Sequence, residues 1–133
     1  GQDDLPIREA RRILGPEALI GVSTHNLEQV RKAVLEGASY IGVGPTFASR
    51  TKNFPEFPGL AFVEAATRAT TLPAFVIGGV NPENIGAAIA AGARRVAVGD
   101  AVCQAEEPEL VAAQLRRALD AVPLDDAGRN AGR

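Results

Sequence analysis

Ser49, Arg50, Thr51 and Lys52 put two hydroxyls and two cations into four consecutive positions. That set suits phosphate oxygens: hydroxyls donate one hydrogen bond each, a guanidinium donates as a planar fork, and an ammonium supplies a point charge. A polar surface loop would carry the same residue types, so the surroundings decide what the set means. Just before it, residues 40–44 alternate bulky and small side chains and stop at Gly44-Pro45, where proline has no N–H for a strand ladder. Three further places offer backbone that an anion could approach: Ser23-Thr24, Gly78-Gly79 and Gly99-Asp100. Glycine leaves the N–H groups accessible there. Asp3 and Asp4 are hard oxygen donors of the kind Mg²⁺ takes alongside phosphate, or solvated acids ahead of a helix. His25 is the single histidine, beside a strand end, where a capping or packing role is the default. Cys103 is the single cysteine; nothing near it in sequence would activate a thiolate, and it reads as buried. The sequence holds no Ser-His-Asp set, no metal-ligand cluster and no Walker loop. What it holds suits reactions in which phosphates are positioned and charge is stabilised.

The elements that must position these groups can be read from periodicity. Residues 5–14 form a short helix with Pro6 in its first turn, Ile7, Ala10 and Leu14 on one face, and Gly15-Pro16 as the stop. Residues 19–23 form a strand. Asn26, with Gln29 three positions on, caps a helix whose inner stripe is Leu27, Val30 and Val34 and which Gly37 ends. After the strand at 40–44 and the long loop, a helix over 60–70 buries Phe62, Val63 and Ala66, and a strand over 74–78 ends at Gly78-Gly79. Asn81-Pro82-Glu83 starts an alanine-rich helix that runs to Gly92, bringing the positive end of its dipole near the glycines. A strand over 95–99 and a helix over 108–119, with Val111, Leu115, Ala118 and Leu119 on one face, complete the order. Residues 123–133 have little to bury and read as a disordered tail. One helix followed by four strand–helix repeats is the pattern of a parallel sheet with crossover helices. A weak internal repeat agrees: residues 37–44 align with 92–99, each running from a helix stop through a strand to a terminal glycine. Both copies therefore end on the sheet edge where such proteins place ligands.

At 133 residues and 46% hydrophobic content the chain supports one modest core and one domain. A formal net charge of −2 excludes general nucleic-acid binding, which needs clustered cations well in excess of acids. A single cysteine excludes an internal disulfide, and no apolar run approaches the roughly 18 residues of a membrane span. Cytoplasmic residence is the expectation. The chain opens at Gly1 rather than methionine, which leaves an upstream start open.

Taken together, Gly1-Gln2-Asp3-Asp4, Gly21-Val22-Ser23-Thr24-His25, Tyr40-Ile41-Gly42-Val43-Gly44-Pro45, Ser49-Arg50-Thr51-Lys52, Ile77-Gly78-Gly79-Val80 and Val96-Ala97-Val98 resemble the thiamine-phosphate synthase (thiamine-phosphate pyrophosphorylase) family, in that family's order. The resemblance implies an α/β fold of the (β/α)8 TIM-barrel family, of which residues 1–122 supply about four β/α units, the C-terminal half-barrel. It implies condensation of hydroxymethylpyrimidine diphosphate with thiazole phosphate to thiamine phosphate and diphosphate, with Mg²⁺ assisting departure of diphosphate. By position, Asp4 would ligate Mg²⁺ and Ser23 would contact the pyrimidine diphosphate. Ser49, Arg50 and Thr51 would hold substrate phosphate, Lys52 the departing diphosphate, and Gly79 with the backbone of Gly99 and Asp100 would complete the thiazole-phosphate pocket. The family commonly has threonine at Ser49, which keeps the hydroxyl, and serine at Asp100, where a carboxylate would repel phosphate unless only its N–H is used. Its remaining basic residues and an Asn-Asp pair belong to a half that this chain does not contain. The isolated chain is therefore expected to be inactive, and to need that missing half-barrel or self-association. A thiazole tautomerase using His25, and a non-catalytic phosphate-binding half-barrel, are the other readings.

Overall fold

The computed structural model describes residues 1–48 and 57–123. The elements follow in the order α1 (Ile7–Leu14), β1 (Gly21–Thr24), α2 (Leu27–Leu35), β2 (Tyr40–Val43), α3 (Gly59–Ala69), β3 (Ala74–Ile77), α4 (Ile85–Ala90), β4 (Arg95–Ala97), α5 (Asp100–Cys103) and α6 (Pro108–Asp120). The four strands make one sheet in the order β1-β2-β3-β4, every pair parallel. The expected strand–helix alternation is thus present. The residues at 123–133 read as a tail lie outside the described residues, apart from Pro123.

Local sequence accounts for most boundaries. Asn26 caps α2, its side chain accepting from the Gln29 N–H, while the Gln29 side chain accepts from the His25 N–H. Helices α2 and α4 hand over to their next strands through Gly37 (φ 81°) and Gly92 (φ 105°), the two glycines at which the sequence repeat begins. Pro108 opens α6 where a missing N–H costs nothing.

One face of the sheet is the core. Ile41, Val43 and Val76 are fully buried there, against Val30 and Ala33 of α2, Val63 and Ala66 of α3, Ala88 of α4 and Leu115 of α6. Thr24 is buried on the same face, its hydroxyl donating 2.7 Å to Gly42 O, so the core holds no unpaired hydroxyl at that point. The opposite face carries Gly21, Ser23, Tyr40, Gly42, Phe75, Ile77, Arg95 and Ala97, by the strand registers. No described helix covers it: Tyr40 is 39% exposed and Ile77 47%.

Four expectations need correction. Leu14 is 64% exposed, so α1 anchors through Ile7 instead. Val34 is 45% exposed, and the buried stripe of α2 is Val30 with Ala33. The helix expected from Asn81 starts at Ile85, because the Asn81 side chain accepts from the Glu83 and Asn84 N–H groups and closes a turn first. Cys103 is exposed, on the short helix α5 that sequence periodicity did not reveal.

Below the sheet, Arg11 fastens three segments. Its guanidinium donates to Pro16 O (3.1 Å), Ala18 O (2.8 Å), Gly37 O (3.0 Å) and Ser39 Oγ (3.2 Å). Ser39 Oγ in turn accepts from the Ile20 N–H at 3.0 Å, tying the approach to β1 to the approach to β2. Only a planar fork with several donors can serve all four acceptors. Arg11→Ala is expected to lower unfolding free energy by about 2 kcal/mol, with Arg11→Lys recovering less than half of it; urea denaturation of the three proteins checks this, and a wild-type midpoint for Arg11→Lys would contradict it.

Candidate functional site

Because all four strands run the same way, the segments after β1, β2, β3 and β4 emerge on one edge of the sheet. Ser23, Gly79, Gly99 and Asp100 all lie along that edge. From β1 to β4 the row spans about 14 Å at roughly 4.8 Å per strand interval. The N-terminal segment also reaches β1: Gln2 Nε2 donates 2.6 Å to Ser23 O, and Asp4 lines a small cavity with Val22, the α2 residues Gln29 and Lys32, and Glu36. Asp4 is fully exposed, and its carboxylate accepts a hydrogen bond from the Gly1 ammonium. That hydrogen bond, and then the ammonium's charge, holds the Asp4 carboxyl below the usual carboxylate range.

The centre of the edge is the segment Gly44–Thr46–Phe47, and it is tied in every direction. The Gly44 N–H donates to Thr24 O at 3.3 Å, and His25 Nδ1 donates to Gly44 O at 2.8 Å, since a carbonyl can only accept. Thr46 donates twice to Ile77 O, from its N–H at 3.0 Å and its hydroxyl at 2.9 Å. The Phe47 N–H donates to Gly78 O at 3.0 Å, and the Gly59 N–H returns to Pro45 O at 3.1 Å. The described residues flanking 49–56 are thus tied down, Phe47 to the end of β3 and Gly59 to Pro45.

The contact with β3 explains the Gly78-Gly79 pair. Gly78 has φ 104°, and a methyl there would sit 2.8 Å from Pro45 Cα and Thr46 N. Gly79 has φ 65°, with Phe47 Cβ 3.0 Å from where its own methyl would be. Both glycines are needed for backbone-on-backbone packing, whatever else their N–H groups do. On the far side, Asn84 Nδ2 donates 2.8 Å to Gly79 O, so the turn is held on both flanks.

Ser49, Arg50, Thr51 and Lys52 lie outside the described residues. Ser23 is exposed on the uncovered face of β1. Gly99 precedes α5, its carbonyl accepting from the Val102 and Cys103 N–H groups, and Asp100 is the exposed first residue of that helix. His25, set aside as a packing residue, is part-buried and struts the Gly44 carbonyl. Thr46 was missed altogether. It is 2% exposed, and a threonine directly after Gly-Pro at a strand end was the signal available. Among the described residues no group of three metal-ligating side chains occurs; Asp3 and Asp4, the acids expected to take a divalent cation, follow Gln2, whose side chain bonds Ser23 O.

The thiamine monophosphate synthase family model matches residues 1–102. The chain belongs to that family. A thiamine-phosphate synthase from Synechococcus sp. (strain CC9311) is 48% identical over 119 residues, which is 90% of this chain and 34% of that protein. One from Anaeromyxobacter dehalogenans (strain 2CP-C) is 46% identical over 122 residues, 91% of this chain and 55% of that protein. Among solved structures, a thiamine phosphate pyrophosphorylase from Pyrococcus furiosus superposes with a TM-score of 0.78 at 30% identity, over 89% of this chain and 56% of that one. The chain thus spans between about a third and a little over half of the length of these relatives. Its four parallel β/α units are half of a β/α barrel, as the family resemblance implied. No described helix is long and apolar enough to cross a membrane.

The seam between Thr46 and Gly78 yields a direct expectation. Gly78→Ala should cost about 2 kcal/mol of stability through the clash and the positive φ. Thr46→Val should cost about 1 kcal/mol, since the N–H bond to Ile77 survives the loss of the hydroxyl. Hydrogen exchange at the Thr46 and Phe47 amides reads both, and should quicken more in Gly78→Ala; equal exchange in all three proteins would contradict the seam.

Proposed function

We propose that the chain is the half-barrel of a thiamine-phosphate synthase that grips both phosphorylated substrates, hydroxymethylpyrimidine diphosphate and thiazole phosphate. One observation supports this reading: among the described residues, Ser23, Gly79, Gly99 and Asp100 follow or end parallel strands on a single sheet edge, and Thr46 and Phe47 are hydrogen-bonded to the end of β3. In the reaction, the bond from the pyrimidine methylene carbon to the diphosphate oxygen breaks, its electron pair leaving with diphosphate. The thiazole nitrogen then forms the new C–N bond.

The chain's own groups divide between the two substrates. Ser23 contacts the pyrimidine diphosphate from the end of β1. Lys52 meets the diphosphate as its negative charge develops, where a preorganised cation acts most strongly. Ser49, Arg50 and Thr51 hold the thiazole phosphate together with the N–H groups of Gly79, Gly99 and Asp100. At Asp100 this role uses the backbone N–H rather than the carboxylate, which would repel a phosphate. Asp4 would supply one carboxylate to Mg²⁺, and the ion would contribute neutralisation of diphosphate charge. The Gly1 ammonium now on that carboxylate is a contact available only where Gly1 is the terminus. The reaction is a cytoplasmic one on small molecules, with no nucleic acid or membrane involved.

The test joins the chain to the part of the Anaeromyxobacter dehalogenans relative that it does not match and follows thiamine phosphate formation. The joined protein should turn over, with Lys52→Ala lowering kcat by about a hundredfold or more and Ser23→Ala acting mainly on KM for the pyrimidine substrate. The 133-residue chain alone should show no turnover. Activity in the chain alone, or a Lys52→Ala protein as fast as its parent, would sink the assignment.

A further inference from the structure

Where β1 and β2 part, the ladder between them runs out of donors. Thr24 and Val43 are the last register partners, and just beyond them the Gly44 N–H still reaches Thr24 O, at 3.3 Å. In a regular parallel ladder Gly44 O would then accept from the N–H two positions past Thr24, that of Asn26. Asn26 is instead the N-cap of α2, where the chain leaves the sheet. Gly44 O takes its hydrogen bond from a side chain, His25 Nδ1 at 2.8 Å. An imidazole stands in for the lost backbone donor.

The imidazole is itself held. The His25 N–H donates 2.7 Å to Gln29 Oε1, and the Gln29 N–H donates 2.9 Å to Asn26 Oδ1, so the start of α2 fixes the backbone that presents the ring. Because a carbonyl only accepts, the neutral ring must carry its proton on Nδ1 rather than on Nε2. From Gly44 the tie continues to β3: Thr46 donates to Ile77 O from its N–H at 3.0 Å and its hydroxyl at 2.9 Å, immediately before Gly78 and Gly79. His25 and Thr46 thus carry the register of three strand ends past their last paired residues.

We infer that His25 is a positioning residue: its Nδ1–H bond to Gly44 O keeps the end of β1, which bears Ser23, at a fixed separation from the end of β3, which leads to Gly79. What that separation is for rests on the synthase reading; the strut does not. In that reading Ser23 serves the pyrimidine diphosphate and Gly79 the thiazole phosphate. A shift between the two strand ends leaves each substrate its own contacts and moves the thiazole nitrogen relative to the pyrimidine methylene carbon. Misplacement on the order of 1 Å can cost about a hundredfold in rate. Loss of the strut therefore falls on kcat and spares both KM values.

The experiment separates the donor from the ring. His25→Asn can place an amide N–H where Nδ1–H stands, whereas His25→Phe keeps a ring without the donor. In the 133-residue chain, nitrogen NMR at a pH where the imidazole is neutral should find the proton on Nδ1. Amide exchange at Gly44 and Thr46 should quicken at least about tenfold in His25→Phe and less than about threefold in His25→Asn, with Val76 unchanged. In the chain joined to the unmatched part of the Anaeromyxobacter dehalogenans relative, His25→Phe should lower kcat at least about tenfold with each KM within about threefold, and His25→Asn should restore most of the loss. His25→Gln, whose amide reaches toward the Nε2 position instead, should behave like His25→Phe and decides the matter if His25→Phe folds poorly. A proton on Nε2, unchanged exchange, better function in His25→Phe than in His25→Asn, or a loss carried by KM would overturn the inference. A joined protein without turnover whose tautomer and exchange behave as stated would count against the synthase reading and leave the strut standing; turnover indifferent to His25→Phe would count against this inference alone.

Discussion

Everything on the functional edge depends on how closely the chain after β2 can approach the end of β3. Thr46 spends both its N–H and its hydroxyl on one carbonyl, Ile77 O, and it does so fully buried. Such a bond contributes little net free energy by itself, about 1 kcal/mol, but leaving either partner unpaired in the interior costs more. The approach is possible only because Gly78 and Gly79 present bare backbone with positive φ. The consequence is geometric: the start of the long loop is referenced to β3 by direct contact and to β1 through His25 and Thr24. Thr46 and Phe47 are thereby held in register with the end of β3, and preorganisation of that kind is what positioning chemistry requires.

The two sides of the sheet follow from different parts of the sequence. The helix side is written in β-branched and small residues, with Ile41, Val43 and Val76 against alanines that let α2, α3 and α4 come close. The other side mixes glycines, two aromatics and an arginine. That side has no consistent apolar character, so it does not form a core by itself. Tyr40 and Ile77 remain partly exposed on it.

Legibility divided along these lines. The strands, their parallel order and the helix-ending glycines could be read because each is fixed by a few adjacent residues: a β-branched run, a capping Asn26, a Gly37 or Gly92 at a helix end. The bearing of the apolar stripes could not. Leu14 and Val34 match helical periodicity yet point away from this chain's core, because α1 and α2 pack through Ile7 and through Val30 with Ala33, offset on the helix surface from the expected stripe. The start of α4 slipped to Ile85 because two asparagines satisfy each other first: Asn81 accepts from the Asn84 N–H while Asn84 accepts from the Asn81 N–H. Helix α5, four residues long, is below the length at which periodicity means anything, and Cys103 was misjudged with it.

The site shows the same division at finer grain. Two hydroxyls and two cations in a row are a compositional signal, visible without a fold, and so are paired glycines. The link between them is not local: Thr46 and Ile77 are 31 positions apart, and no spacing rule connects them. Gly78-Gly79 looked like an anion cradle and proves first to be a packing requirement, which does not compete with binding. The positive φ angles at Gly78 and Gly79 that admit Thr46 and Phe47 favour glycine, so neither position carries a side chain over its own N–H. A single backbone solution thus serves the fold and the chemistry proposed for it, and a side chain at either glycine would disturb both together.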